Sequence, residues 1–335
     1  MERVRVGMVG AGSMANAVHY PSLAEIDDAE IVAICDINEE RLHLTADKYG
    51  VDLRYTDYRR MVEEADPDAV YVIMPPHHLF DIVIWLLGQG KHVFVEKPPG
   101  VSRFQTQSMA RAAERRGCVT MVGFNRRFIP LLVKAKERVE THGPVLQAVA
   151  TFYKNLVGAE AHPYYGGAVD ILTCDAVHAV DALRWMCGGE VVSVVSDVRK
   201  FSAPWENAFF ALVRFSSGAT GVLLANWAAG KRVHTFEMHS LGISAFVDGN
   251  SQAVIYEDDE EEVWDVKDAA GSGEFYKFYG FFDENKHFIE CVREGREPMT
   301  SFGDAVKTME LVEMIYHPTL ARSSKRAHTG SPTTL

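Results

Sequence analysis

The order of apolar runs predicts an α/β domain with a parallel sheet, followed by a strand-rich domain of antiparallel character. Three observations carry that prediction. Strand-like and helix-like stretches alternate through residue 124, the pattern that builds a parallel sheet with helices on both faces. Beyond residue 124 the alternation stops, and short strands follow one another with glycine turns. The chain has 335 residues, too many for one ordinary domain of about 100–200 and right for two. Residues 1–124 and 125–335 are therefore expected to form separate domains.

Residues 4–9 form a β-branched run that meets Gly10-Ala11-Gly12-Ser13-Met14-Ala15, after which a helix is expected as far as the Tyr20-Pro21 break. A second apolar run over 30–35 ends in Asp36, and Asn38 is placed to cap the acid-rich helix that starts Glu39-Glu40. Residues 57–64 read as a helix, 69–74 as a third, buried strand stopped by Pro75-Pro76, and 79–87 as a helix ended by Gly88 and Gly90. A strand over 92–95 runs into Glu96-Lys97-Pro98-Pro99-Gly100. A helix over 102–116 and a strand over 119–122 complete the alternation.

In the second half a helix is expected over 129–140, and Gly166-Gly167 opens another over 168–186, closed by Gly188-Gly189. Strands follow at 191–199, 208–215, 220–226, 233–240 and 244–248. The acidic run 257–262 reads as a solvated turn, since no glycine-bearing calcium-loop spacing surrounds it. Helical periodicity returns over 275–292 and 304–316, and the residues after Arg322 have the composition of a weakly ordered end.

Composition narrows the function classes. With 47% hydrophobic and 24% charged residues the chain is a folded globular protein. A net charge of −12 has the wrong sign for a phosphate backbone, which removes nucleic acid as a general partner. The five cysteines, Cys35, Cys118, Cys174, Cys187 and Cys291, are odd in number and lack close paired spacing, which points to reduced thiols. The most apolar stretch, 82–87, is far short of the roughly 20 residues a membrane span needs, and the N-terminus opens into a strand. The expectation is a soluble, cytoplasmic protein with no membrane partner.

The ends of the expected parallel strands carry the chemistry. Gly10-x-Gly12-x-x-Ala15 lies between a strand and a helix, and Asp36 stands at the end of the next strand. Such glycines allow a tight turn and close approach of a pyrophosphate, whose charge is stabilised by N–H groups at the helix start. Gly10, Gly12, Ser13, Met14 and Ala15 are accordingly the expected cofactor loop. Asp36 would accept hydrogen bonds from ribose hydroxyls and repel a 2′-phosphate, which favours NAD over NADP. Ligands of parallel sheets sit at the carboxyl ends of strands, so Met74, Pro75, His78, Glu96 and Lys97 fall beside the cofactor. A lysine there can hydrogen-bond a reacting hydroxyl and stabilise alkoxide character as hydride leaves carbon. No metal-ligand spacing emerges, and no metal is expected.

The combination of the glycine loop, Gly90-Lys91-His92-Val93-Phe94-Val95-Glu96-Lys97-Pro98, and Gly166-Gly167-Ala168 ahead of His178-x-x-Asp181 resembles the Gfo/Idh/MocA oxidoreductase family over nearly the whole chain. The Glu-Lys-Pro motif in this setting is specific for the family, whereas the glycine motif is shared with many dinucleotide enzymes. The resemblance implies a Rossmann domain followed by an α+β domain on an open, largely antiparallel sheet, whose outer face makes the contacts of a homodimer or homotetramer. It implies a sugar, cyclitol or derivative as substrate. It also implies that Lys97 is the catalytic lysine, His178 the acid–base residue and His78 the histidine that follows the third strand. Asn125, Arg126 and Arg127 fall on a polar stretch leading into the second domain, and Arg127 is expected to reach substrate together with Tyr153, Lys97 and His178. Tyr153 belongs to a run with Lys154, His162, Tyr164 and Tyr165, polar aromatics suited to stacking on a sugar face.

One position departs from the family pattern. Where an aspartate often stands four residues before the histidine this chain has Cys174, with Asp175 next to it. Asp175 and Asp181 both lie one helical turn from His178, so either could orient the imidazole and raise its affinity for a proton; Asp175 is taken as the catalytic carboxylate. The expected function is an NAD-dependent dehydrogenase moving a hydride between nicotinamide and a secondary alcohol or ketone of a sugar, cyclitol or derivative. Two alternatives share the scaffold: a redox-neutral reaction such as glycoside cleavage through transient oxidation by tightly held NAD, and a non-catalytic NAD-binding sensor. The intact Lys97 and His178 argue against the sensor, and Cys174 leans the other way.

Overall fold

The computed structural model describes residues 3–317, and two sheets organise them. In the first half β1 (Val4–Val9), α1 (Tyr20–Glu25), β2 (Ala29–Cys35), α2 (Glu39–Tyr49), β3 (Leu53–Tyr55), α3 (Tyr58–Ala65), β4 (Ala69–Val72), α4 (Leu79–Gly88), β5 (His92–Glu96), α5 (Arg103–Arg116) and β6 (Thr120–Gly123) alternate. Their strands form one parallel sheet in the order β3-β2-β1-β4-β5-β6. Val70, Val72, Val93 and Val95 are fully buried, as the central strands of a sheet covered on both faces must be. The order reverses between β1 and β4, and the crevice at that switch is where such sheets bind ligands.

Capping follows the sequence. The Asn38 side chain accepts from the Arg41 amide at 2.9 Å, and Asp57 from the Arg59 amide at 2.8 Å. The expected stop at Tyr20-Pro21 is not one: a π-helical turn over Ala15–His19 passes directly into α1, and Pro21, which has no N–H to donate, is taken up at the junction where the hydrogen-bond pattern changes. The edge strand β3 escapes the sequence reading because it is three residues long with a polar centre.

In the second half α6 (Pro130–Glu140), β7 (Gln147–Asn155), α7 (Val177–Cys187), β8 (Val191–Arg199), β9 (Ala208–Phe215), β10 (Thr220–Asn226), β11 (Ala228–Ser240), β12 (Ile243–Asp248), β13 (Gln252–Glu257) and β14 (Glu260–Asp265) build an eight-stranded sheet in the order β14-β13-β12-β11-β7-β10-β9-β8. Only the β7–β10 pairing in it is parallel. Ala148, Ala150 and Phe152 of β7 are fully buried on the face that α7 covers. The helix expected over 168–186 begins later, as a π turn over Leu172–Ala176 that leads into α7. The acidic run spans the β13–β14 hairpin, with Asp258 and Asp259 in its turn at positive φ.

The chain then returns to the first sheet through α8 (Val266–Ala270), α9 (Phe275–Phe278), α10 (Phe281–Glu294) and α11 (Phe302–Tyr316). Gly280, at φ +84°, breaks the expected 275–292 helix: a Cβ there would lie 2.5 Å from the Asn125 carbonyl oxygen, so only glycine lets this turn lie against the 125–129 segment. Thr300 exchanges backbone and hydroxyl bonds with Val122 of β6, which ties the C-terminal helices to the parallel sheet. The tail after Arg322 lies outside the described residues. No helix among the described residues is long and apolar enough to cross a membrane.

Candidate active site

The end of β1 is built for close approach. Gly10 has φ +113°, and a Cβ there would fall 2.2 Å from the Ile73 carbonyl oxygen, so the loop can lie against the end of β4 only as glycine. Around Gly12 the space where a Cβ would stand is open, as a pyrophosphate crossing the backbone requires. Asp36, buried at the end of β2, accepts from the Ala11 amide at 2.8 Å, the Asn38 amide at 2.8 Å and Arg41 Nη2 at 3.1 Å. It ties the glycine loop to the neighbouring strand at the place where the adenosine ribose of a dinucleotide lies. These residues fit a dinucleotide cofactor.

A cleft of about 430 Å³ is lined by Gly12, Ser13, Met14 and Ala15, by Ile73, Met74 and Pro75 after β4, and by Glu96, Lys97, Asp175 and His178. Arg126, Tyr165, Arg232, Phe275, Tyr279 and Phe281 complete its walls. Lys97 follows β5, its peptide to Pro98 is cis, and its Nζ donates to the Cys174 carbonyl oxygen at 3.3 Å. His178, in the first turn of α7, is only 4% exposed, and its Nδ1 has no hydrogen-bond partner among the described residues. Burial first, then the charges of Arg126 and Lys97, push its imidazole well below the ordinary histidine range. The ring is therefore neutral, and a neutral imidazole beside an ammonium group is a proton acceptor.

The carboxylate expected to orient His178 is engaged elsewhere. Asp175 accepts from Lys154 Nζ and Tyr164 Oη, and Trp227 Nε1 donates to the same tyrosine oxygen at 3.1 Å. Burial alone would raise the Asp175 carboxyl, but Lys97, Lys154 and these hydrogen bonds hold it below its usual range. The other candidate, Asp181, is paired with Arg127, whose Nε and Nη2 donate to its two oxygens at 2.7 and 2.6 Å. Arg127 also reaches Asp304 at 2.7 Å and does not line the cleft, which corrects its placement at the substrate. Tyr153 is corrected for a different reason: successive strand residues face opposite ways, and Phe152 and Lys154 take the helix-covered face of β7. His78 is exposed on a 3-10 turn, its ring tilted against that of His77 with centres 4.0 Å apart, and it is outside the cleft lining.

Sequence reasoning does not reach Arg232 or the aromatic wall that α9 and α10 bring back from the end of the chain, and it names Arg126 and Lys154 only as members of polar stretches, without a role of their own. Alternation along 147–155 was the signal that could have placed Lys154. Behind the cleft His19, Glu96 and Glu284 bring ligand-type atoms within 4.8 Å of one another, with His19 Nε2 3.1 Å from Glu96 Oε1. Burial, reinforced by the Glu96 charge, holds the Glu284 carboxyl well above its usual range, so it is a neutral acid and a poor metal ligand.

A glycine loop at the switch point of a parallel sheet, opening into a cleft with a lysine and a neutral histidine, defines a dinucleotide-dependent oxidoreductase. Residues 4–124 match the family model described as "Oxidoreductase family, NAD-binding Rossmann fold", and residues 134–240 match the GFO/IDH/MocA C-terminal domain. The chain belongs to the Gfo/Idh/MocA family and is an NAD-dependent dehydrogenase. It is 28% identical over 316 residues to myo-inositol 2-dehydrogenase of Thermotoga maritima, covering 90% of this chain and 92% of that protein. To scyllo-inositol 2-dehydrogenase (NAD(+)) of Bacillus subtilis it is 25% identical over 327 residues, 92% of each. In fold it resembles a dehydrogenase from Chromobacterium violaceum, with a TM-score of 0.84 and 24% identity over 95% of each chain. Levoglucosan dehydrogenase in complex with NADH and levoglucosan has a TM-score of 0.82 and 20% identity, over 94% of this chain and 97% of that one.

Proposed function

We propose that this dehydrogenase oxidises a secondary alcohol of a sugar, cyclitol or close derivative, or reduces the matching ketone. The observation that carries the reading is the meeting of Lys97 and a neutral His178 in the cleft that begins at the cofactor loop. Bound NAD supplies the hydride acceptor. Lys97 exchanges its long bond to the Cys174 carbonyl for one to the reacting oxygen and stabilises the negative charge that grows there. His178 takes the hydroxyl proton, so the alcohol carbon loses a hydride, the oxygen loses a proton and a ketone results. Residues 1–124 hold the cofactor and 125–335 form the substrate face, with α10 and α11 packed against both.

The test is NADH formation by the purified protein with NAD across inositols, aldoses, sugar acids and glycosides. Turnover by one class is expected, and Lys97→Ala should lower it about 10³-fold while leaving NAD affinity within a few fold. Comparable turnover in that variant would remove Lys97 from the mechanism. Asp36→Ser should relax discrimination against NADP, because the carboxylate that repels a 2′-phosphate is gone.

The enzyme is further proposed to be a homodimer or homotetramer of the cytoplasm. On the outer face of the eight-stranded sheet exposed Val195 pairs with exposed Leu212 across β8 and β9, and exposed Phe246 and Val263 lie in register through Val254 of β13; Val222, Val149 and Glu237 continue the line between the two apolar patches. Such a face supports self-association. The five cysteines are free, which supports a reducing compartment.

A further inference from the structure

The cleft is more cationic than a neutral polyol requires, in a protein whose net charge is −12. Its two carboxylates are engaged: Glu96 with His19, and Asp175 with Lys154 and Tyr164. Lys97, Arg126 and Arg232, which line the same cleft, form no ion pair among the described residues. Lys97 is needed at the reacting oxygen. The two arginines have no such task.

Arg126 is 4% exposed. Its Nη1 donates to Asn125 Oδ1, its guanidinium lies 4.7 Å from the centre of the Tyr279 ring, and its buried Nε has no hydrogen-bond partner among the described residues. Glu284, the acid near it, is held neutral by burial and does not offset its charge. A buried guanidinium with an unfilled donor is costly unless something negative meets it. Arg232 is exposed on β11, 5.9 Å from the centre of the Phe152 ring, and its charge and that of Arg126 both bear on the buried ring of His234. Both arginines therefore belong to the part of the cleft wall that neighbours His234 of β11.

We propose that this side of the cleft is a carboxylate-binding subsite: Arg126 and Arg232 receive the acid group of an aldonic- or uronic-type sugar acid, or of a carboxylated cyclitol. The inference rests on the dehydrogenase reading and names its substrate class. A planar, singly charged carboxylate matches the flat fork of guanidinium donors. The redox balance is unchanged, since the acid group takes no part: hydride leaves the alcohol carbon for NAD, the proton goes to His178, and the carboxylate only holds the polyol in register. In Arg232 the chain would then carry a selector placed at the mouth of the cleft, where an entering anion meets it first.

Two readouts test this on the intact protein. Calorimetric titration of the NADH complex should show D-gluconate or D-glucuronate binding at least tenfold more tightly than glucose or myo-inositol, weakening as salt is raised. Steady-state assay with NAD should show the same preference in kcat/KM. In Arg232→Gln the advantage of acid over neutral compound should shrink about 10–100-fold, as loss of a charge-assisted hydrogen bond implies, mainly through KM, and Arg232→Lys should restore part of it. Acid-selective binding without NADH formation from any acid or neutral compound of the panel would uphold the subsite and overturn the proposed oxidation of a sugar or cyclitol alcohol. Turnover of neutral polyols with no preference for their acids would uphold the dehydrogenase and overturn the subsite. Tighter binding of glucose 6-phosphate than of either acid, or an acid advantage unchanged in Arg232→Gln, would also overturn it.

Discussion

Two polar clusters meet α7, and each holds one of the consecutive arginines Arg126 and Arg127. On one side Asp181 accepts from Arg127 Nε and Nη2 and from Thr308 Oγ1 at 2.8 Å, while Asp304 accepts from Arg127 and from Arg184 at 2.7 Å each. Both carboxylate oxygens of each aspartate are used, and the cluster joins the 125–128 turn, α7 and α11. On the other side, Arg126 Nε and His178 Nδ1, together with both ring nitrogens of His234, are buried without hydrogen-bond partners among the described residues. Consecutive arginines thus serve opposite ends. A polar network that closes on itself is scaffold, and one left open toward a cleft is a binding surface whose remaining partners are the ligand's atoms.

That contrast can be broken with one-atom changes. Asp181→Asn leaves the Arg127 charge buried against a neutral amide, and removal of one partner of a buried pair costs about 3–5 kcal/mol. The expected result is a large drop in the denaturation midpoint with NADH binding kept in the protein that remains folded. A change below about 1 kcal/mol, small on the scale of ordinary point mutations, would show that the cluster does not hold α11 in place. Asp175→Asn acts on the open side. Stability should change by about 1 kcal/mol, the scale of one net hydrogen bond, while kcat/KM falls roughly 10–100-fold because Lys154 and Tyr164 lose the charge that fixes them beside Lys97. Equal losses of stability in the two variants would erase the distinction.

The parallel sheet and its cofactor loop were legible because their signals are local: a β-branched run, glycines at a turn, an acid at a strand end. The second sheet hid its centre. Residues 147–155 make β7, and Gly143-Pro144 marks a turn just ahead of it, but the segment has no apolar run long enough to stand out as a strand; without the strand the parity that sends Tyr153 and Lys154 to opposite faces, with Lys154 toward Asp175, is invisible. Asp175 failed as partner of His178 for a geometric reason. The three-residue spacing puts both on one face only in a regular α-helix, and the π turn over Leu172–Ala176 widens the spiral and carries Asp175 round toward β7. Arg126 and Arg127 could not be separated at all, since which of two neighbours on a 3-10 turn finds Asp181 depends on contacts from α11, far along the chain. The aromatic wall of Phe275, Tyr279 and Phe281 is hidden for the same reason.

The open side has a smaller signature at about pH 6.5 that the closed side does not share: there burial would raise the Asp304 carboxyl, but Arg127 and Arg184 hold it low. Burial, with the Arg126 and Lys97 charges, depresses the His178 imidazole, and burial with Arg126 and Arg232 does the same to His234. In the unfolded chain both rings take up protons as pH falls through about 6.5. The folded chain cannot, so their full contribution to stability is present above about pH 6.5 and declines as pH drops below it. Activity should follow a different course. Alcohol oxidation needs His178 neutral, and it stays neutral below the ordinary histidine range, so kcat/KM for oxidation should show no acid limb near pH 6.5, whereas ketone reduction, which needs the protonated ring, should be slow at neutral pH. Rate profiles in both directions, set beside thermal melts over the same range, check this. An oxidation limb centred near pH 6.5 that disappears in His178→Asn would mean that the ring is solvated in the working enzyme, and that the open side of α7 is wetter than the closed side by more than its missing hydrogen bonds.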